Sequence, residues 1–211
     1  MRELIESLGE SAPPAILGFS WGAMLAQAFA AEHPELAGPI VLIGCGTFDP
    51  LARARLGATI EERMTESLRL RIERVTADCA GGNDAASCAL RAKAALMMPL
   101  YSYDLVDGSL ANVIEPENCD ARAHEETWAD MMRLQEQGMY PARFSAIRAP
   151  LLMLHGAFDP HPGRMILASL QPHISRIQYR EWEQCGHYPW LEKAARIEFF
   201  MVLRRWLLDN L

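Results

Sequence analysis

Apolar residues at 1, 4, 5 and 8 recur at helical spacing and predict a helix over 1–8 that ends at Gly9. Ala15-Ile16-Leu17 follows as a continuous apolar run of strand type. An Ala-rich stretch over 23–31 then reads as a helix packed on most sides, closed by His33-Pro34. Residues 39–46, Pro-Ile-Val-Leu-Ile-Gly-Cys-Gly, read as a second buried strand, so the two strands and their helix make a right-handed βαβ unit. From Thr47 to about Ser145 strand-type runs vanish and charge-studded helical stretches replace them. Helices are predicted over 51–56, 59–79, 84–98 and 124–137, with breaks at Gly81-Gly82-Asn83, Pro99, Gly108 and Gly138. The strand pattern returns over 149–156, then a helix over 164–170, a strand over 175–182 and an amphipathic helix over 191–208. The pattern predicts an α/β fold: a core from 1–46 and 146–211 with a parallel sheet of about four strands, and an all-helical cap inserted over 47–145.

Composition narrows what such a fold does. A chain of 211 residues, half of them apolar, buries a full core. Its formal charge of −7 disfavours nucleic acid and anionic membranes as partners and favours a small-molecule substrate. With Arg2, Glu3, Glu6 and Glu10 near the start no apolar leader is expected, and the longest apolar runs, 94–101 and 199–203, are too short to span a membrane. Cys45, Cys79, Cys88, Cys119 and Cys185 are odd in number and lack Cys-x-x-Cys spacing. They read as reduced thiols of a cytoplasmic protein.

The candidate chemistry begins at Gly18-Phe19-Ser20-Trp21-Gly22. Gly-x-Ser-x-Gly arises by chance in roughly one chain in fifteen of this length, so its weight comes from the strand before it and the helix after it. A sharp strand-to-helix corner lifts a serine clear of the sheet, and it demands small residues where the two legs approach. Gly18 and Gly22 are expected to fill both places. Asp159 follows the strand that ends at Gly156, and His187 follows the strand that ends at Trp182. An imidazole titrates near neutrality and can take the serine's proton, and a carboxylate orients that imidazole. Asp49, just after the second strand, is a rival acid. The histidines at 33, 124, 155, 161 and 173 have no partner at metal-ligand spacing, so neither metal nor other cofactor is expected. His161, beside the acid, is a candidate substrate contact.

The order Ser, acid, His, with the Gly-flanked elbow, resembles the α/β-hydrolase superfamily over the whole chain. Gly18-Phe19-Ser20-Trp21-Gly22 matches its nucleophile elbow, Leu154-His155-Gly156 with Asp159 its acid loop, and residues 186–192, Gly-His-Tyr-Pro-Trp-Leu-Glu, its histidine loop. The helical insertion sits where that superfamily carries a cap. The resemblance implies a serine hydrolase with a Ser20, Asp159, His187 triad acting on an ester, amide or related bond of a small apolar substrate. It implies an oxyanion donor at the Trp21 N–H, and substrate contacts among Phe19, Trp128, Met132, His161 and Tyr188.

Superfamily members carry several strands before the elbow and a His-Gly type loop that gives a second oxyanion donor. This chain begins in what resembles the helix before the elbow strand, so it is expected to carry a truncated core. The alternative reading is therefore a non-catalytic fragment or interaction module with an incomplete oxyanion hole. The elbow strand is expected to lie at a sheet edge, apolar on both faces, and to drive self-association that Ile16→Lys would weaken.

Overall fold

The computed structural model describes residues 1–8, 12–81, 84–106 and 120–211. Four parallel strands run in the order β1 (Ile16–Phe19), β2 (Ile40–Ile43), β3 (Leu151–Gly156), β4 (Ile177–Trp182). Ile16 pairs with Ile40, Ile40 with Leu151 and Leu151 with Ile177, so the strands start level and their carboxyl ends share one edge. The helices are α1 (Arg2–Leu8), α2 (Trp21–Glu32), α3 (Pro50–Arg63), α4 (Glu66–Cys79), α5 (Ala85–Tyr101), α6 (Ala121–Glu136), α7 (Gly163–Leu170) and α8 (Arg196–Asn210).

Strand alternation builds two apolar layers. Ile16, Ile40, Leu42, Leu151 and Met153 face α2 and α7, meeting Ala23, Met24, Ala26, Ile166 and Leu170. Val41, Ile43, Leu152 and Leu154 face the other way, onto Phe199 and Trp206 of α8. Both central strands, β2 and β3, are buried along their whole length, as a parallel sheet covered on both faces requires. β1 pairs with β2 alone among the described strands, and Leu17 is 49% exposed on it whereas Ile16 is buried. The outward apolar position of this edge is therefore Leu17 and not Ile16. Between β2 and β3 the described residues hold α3 to α6, a 3-10 turn at Ala142–Ala146 and a single bridge from Leu105 to Glu192.

Several sequence expectations are corrected. The helices expected over 51–56 and 59–79 divide elsewhere, because α3 runs through Gly57 on to Arg63. The break falls instead at Met64-Thr65, where the Thr65 hydroxyl caps α4 by accepting from Leu68 N. Pro99 does not end α5, which holds the proline inside it and stops at Tyr101. The final helix starts at Arg196 and not at 191, since residues 191–193 make backbone bonds to 104–106 instead. Cys79 and Cys88 are joined in a disulfide between α4 and α5, so these two are not reduced thiols, and cysteine usage no longer argues for the cytoplasm. Cys45 and Cys185 are free and buried. The expected features at Gly9, Gly82-Asn83, Gly108 and Cys119 lie outside the described residues. Among the described residues no helix is long and apolar enough to cross a membrane.

Candidate active site

β1 ends at Phe19, and Ser20 turns the chain into α2 with φ of 53°, the left-handed region that a side chain rarely adopts. Its N–H donates to Ile43 O at 2.8 Å, which ties the strained corner to β2. Gly18 permits the turn: a Cβ there would stand 2.3 Å from the carbonyl oxygen of Gly22. Gly22 is not under the same constraint, because nothing lies within 4 Å of the Cβ it lacks, contrary to expectation. The Trp21 N–H opens α2, where the first N–H groups have no intrahelical acceptor, and it points with the positive end of the helix.

Asp159 comes from the turn after β3, and none of its side chain is exposed. Its Oδ2 accepts from His187 Nδ1 at 2.6 Å, and its Oδ1 accepts from the His161 N–H at 2.9 Å and from His161 Nδ1 at 3.0 Å. His155, wholly buried on β3, brings Nε2 within 3.3 Å of Oδ2 and donates from it to His161 O at 2.9 Å. Burial works against the Asp159 charge, but His187, His161 and His155 outweigh it and hold the carboxyl well below its usual range. Burial has the opposite consequence for the imidazole of His155, whose proton affinity it lowers.

His187 is held from several sides. Its N–H donates to Tyr101 O at 2.7 Å, and Gly44, at φ of +54°, leaves room where a Cβ would lie 2.8 Å from the imidazole. Phe19 packs beneath His187, Tyr188 and Trp190 at centroid distances of 4.8, 5.6 and 4.8 Å. Burial and the Asp159 charge push both Tyr101 and Tyr188 up to about 12, so these phenols stay protonated around the site.

A cavity of about 720 Å³ opens between the strand ends and the helices above them. Ser20, Trp21, His161, His187 and Tyr188 line its floor side, and Leu56, Ile60, Met97, Met98, Tyr101 and Trp128 give it apolar walls. The structure thus gathers Ser20, Trp21, Trp128, His161, His187 and Tyr188 at one cavity. Phe19 lies under the histidine loop instead, and Met132 packs against the core cluster. Asp49 stands apart from His187 as the N-cap of α3, accepting from Ala52 N at 2.8 Å. Asp159, His161 and His187 offer ligand atoms within 4.8 Å of one another, a separation a metal ion could use, and both Nδ1 atoms there already engage the carboxylate.

Two features escaped the sequence reading. Sequence spacing gave the histidines at 155 and 161 no partner, whereas the turn after β3 folds both onto Asp159. Glu192, fully buried, accepts from Gly186 N and Tyr103 N at 2.9 Å and from Asp104 N at 2.7 Å, and so clamps the end of α5 to the histidine loop.

The sequence model of the alpha/beta hydrolase family matches residues 1–198. None of the curated proteins matches the chain. Solved structures do, at low identity. A monoacylglycerol lipase from Paleococcus ferrophilus superposes with a TM-score of 0.61 at 15% identity, covering 100% of this chain and 73% of that one. An esterase from Exiguobacterium antarcticum gives 0.59 at 14%, covering 97% and 70%. A proline iminopeptidase from Mycobacterium smegmatis gives 0.57 at 17%, covering 99% and 69%. At such identities these matches establish the fold.

Proposed function

The chain belongs to the alpha/beta hydrolase family, and on that footing we propose that it is a serine hydrolase with a Ser20, His187, Asp159 triad. The observation that carries the reading is a strained serine at φ 53° lining the same cavity as an imidazole whose Nδ1 lies 2.6 Å from a buried carboxylate. Ser20 and His187 line the same cavity, and hydrogen bonds between a nucleophile and its base tighten when substrate arrives. We read 47–145 as the cap over the triad.

His187 Nε2 takes the Ser20 proton as Oγ attacks the acyl carbon. The carbonyl oxygen gains the charge and meets the Trp21 N–H at the start of α2. Asp159 remains ionised and stabilises the imidazolium. His187 then gives its proton to the leaving group as the acyl bond breaks, leaving an acyl-Ser20. A water molecule, losing its proton to the same imidazole, cleaves that ester and restores the serine. The apolar walls favour a small, largely apolar acyl substrate, and a volume near 720 Å³ suits one of drug-like size. Ester, amide and related acyl bonds all fit this chemistry.

A fluorophosphonate probe tests the reading without knowledge of the substrate. Labelling of Ser20 that disappears in Ser20→Ala and His187→Ala, together with turnover of short-chain p-nitrophenyl esters, is the expected result. A folded chain that resists the probe would instead favour a non-catalytic interaction module.

A further inference from the structure

The family's triad needs one imidazole on its acid, and Asp159 here carries two through their Nδ1 atoms, one on each oxygen. The rings of His161 and His187 stack at 5.0 Å with 22° between their planes, and both line the cavity. His161 is thus turned the same way as His187 by the same carboxylate, with Nε2 as its remaining polar atom. We propose that His161 is a positioning residue of the site: it shares Asp159 with His187 and so divides the carboxylate's hold between two imidazoles.

The inference rests on the triad reading above. A carboxylate that accepts several hydrogen bonds has less negative charge to offer each donor. Sharing has one sign: with His161 in place less of the carboxylate's charge falls to His187, and without it Asp159 holds His187 alone. The other groups facing this pair act in wild type and variant alike. They include His155 from β3, Tyr101 from α5 with its ring 5.8 Å from that of His161, Tyr188 from the histidine loop, Lys93 of α5 and His124 of α6 along the cavity, and Arg63, Cys45, Tyr179 and Cys185, which couple to Asp159.

The experiment follows the rate of Ser20 labelling by a fluorophosphonate from acid to alkaline pH in the full chain, His161→Phe and His161→Asn. Phenylalanine keeps the stacked ring and removes both nitrogens, and the acid-side midpoint should rise on the order of one pH unit. Asparagine keeps a donor for Oδ1 without a titrating proton, and its midpoint should fall between the other two. Circular dichroism establishes that each variant is folded. If His161→Phe does not fold, the asparagine midpoint decides alone. An unchanged midpoint in a folded variant, even with a lower plateau rate, overturns the proposal and leaves the triad standing. A wild type that takes no label at any pH overturns the triad reading, and this inference with it.

Discussion

Replacing Glu192 by glutamine keeps its volume and tests what its charge holds together. The carboxylate takes three backbone N–H donors, two on Oε1 and one on Oε2: Tyr103 and Asp104 lie 89 and 88 residues away in sequence, and Gly186 only 6. Hydrogen bonds to a charged group each contribute about 1.5–3 kcal/mol. Glutamine retains a carbonyl for the first two donors as weaker neutral bonds and sets an NH₂ group against the Asp104 N–H. After the smaller cost of burying a neutral amide, the net loss is about 2 kcal/mol. Glu192→Ala strands all three backbone donors, at about 1–3 kcal/mol for each buried group left unpaired, and should cost about 4 kcal/mol. Urea unfolding followed by circular dichroism reads both. With a slope of about 2 kcal/mol per molar, the midpoint moves down about 1 M for glutamine and about 2 M for alanine. Glu125→Gln, exposed on α6, is the control and should not move it. A glutamine variant indistinguishable from the control would refute the argument that this carboxylate clamps the histidine loop.

Buried His155 has a lowered proton affinity in the fold, while the unfolded chain protonates it near 6.5. Its contribution is therefore intact above that pH and is lost as pH falls below it; His155→Gln should flatten this acid slope in urea midpoints measured across the window. Asp159 acts in a separate range: held below its usual 3.8, it adds stability above that pH that is lost only as pH falls through its depressed folded value. Gly18→Ala should prevent folding or abolish labelling, because its Cβ would meet the Gly22 carbonyl at 2.3 Å, whereas Gly22→Ala should keep labelling and gain about 0.5–1 kcal/mol in urea unfolding. The chain should self-associate through the edge at β1, and Leu17→Lys, at a 49% exposed position, should shift it toward monomer. Light scattering that finds wild type as a monodisperse 23.6 kDa monomer at tens of micromolar would refute this.

The sheet and the three loops at its carboxyl edge were legible because each is written locally. A run such as Ile40–Ile43 names a buried strand by itself, and Ser20, Asp159 and His187 each follow one. Helix limits in the insertion were less legible. A hydroxyl cap at Thr65 outweighed the continuous helical pattern through Met64, and Gly57 cost α3 too little to stop it. The Cys79–Cys88 disulfide was missed because two cysteines in neighbouring helical stretches carry no spacing motif. Glu192 reads as one more surface acid in sequence, since its partners at Tyr103 and Asp104 come from the far end of another helix. The three histidines around Asp159 likewise depend on a turn that folds residues 155 and 161 onto one carboxylate.

The seam between residues 101–106 and the histidine loop bears on recombining such proteins. Tyr101 O holds His187 N, Val106 N reaches Leu191 O, Lys193 N reaches Asp104 O, and Leu105 bridges to Glu192. A chimera that exchanged everything from 47 to 145 for the matching helices of another family member would thus carry off the backbone on which the histidine rests. Crossovers placed inside α5, before Met98, would leave this strip with its acceptor, so donor helices could be varied while the imidazole kept its seat.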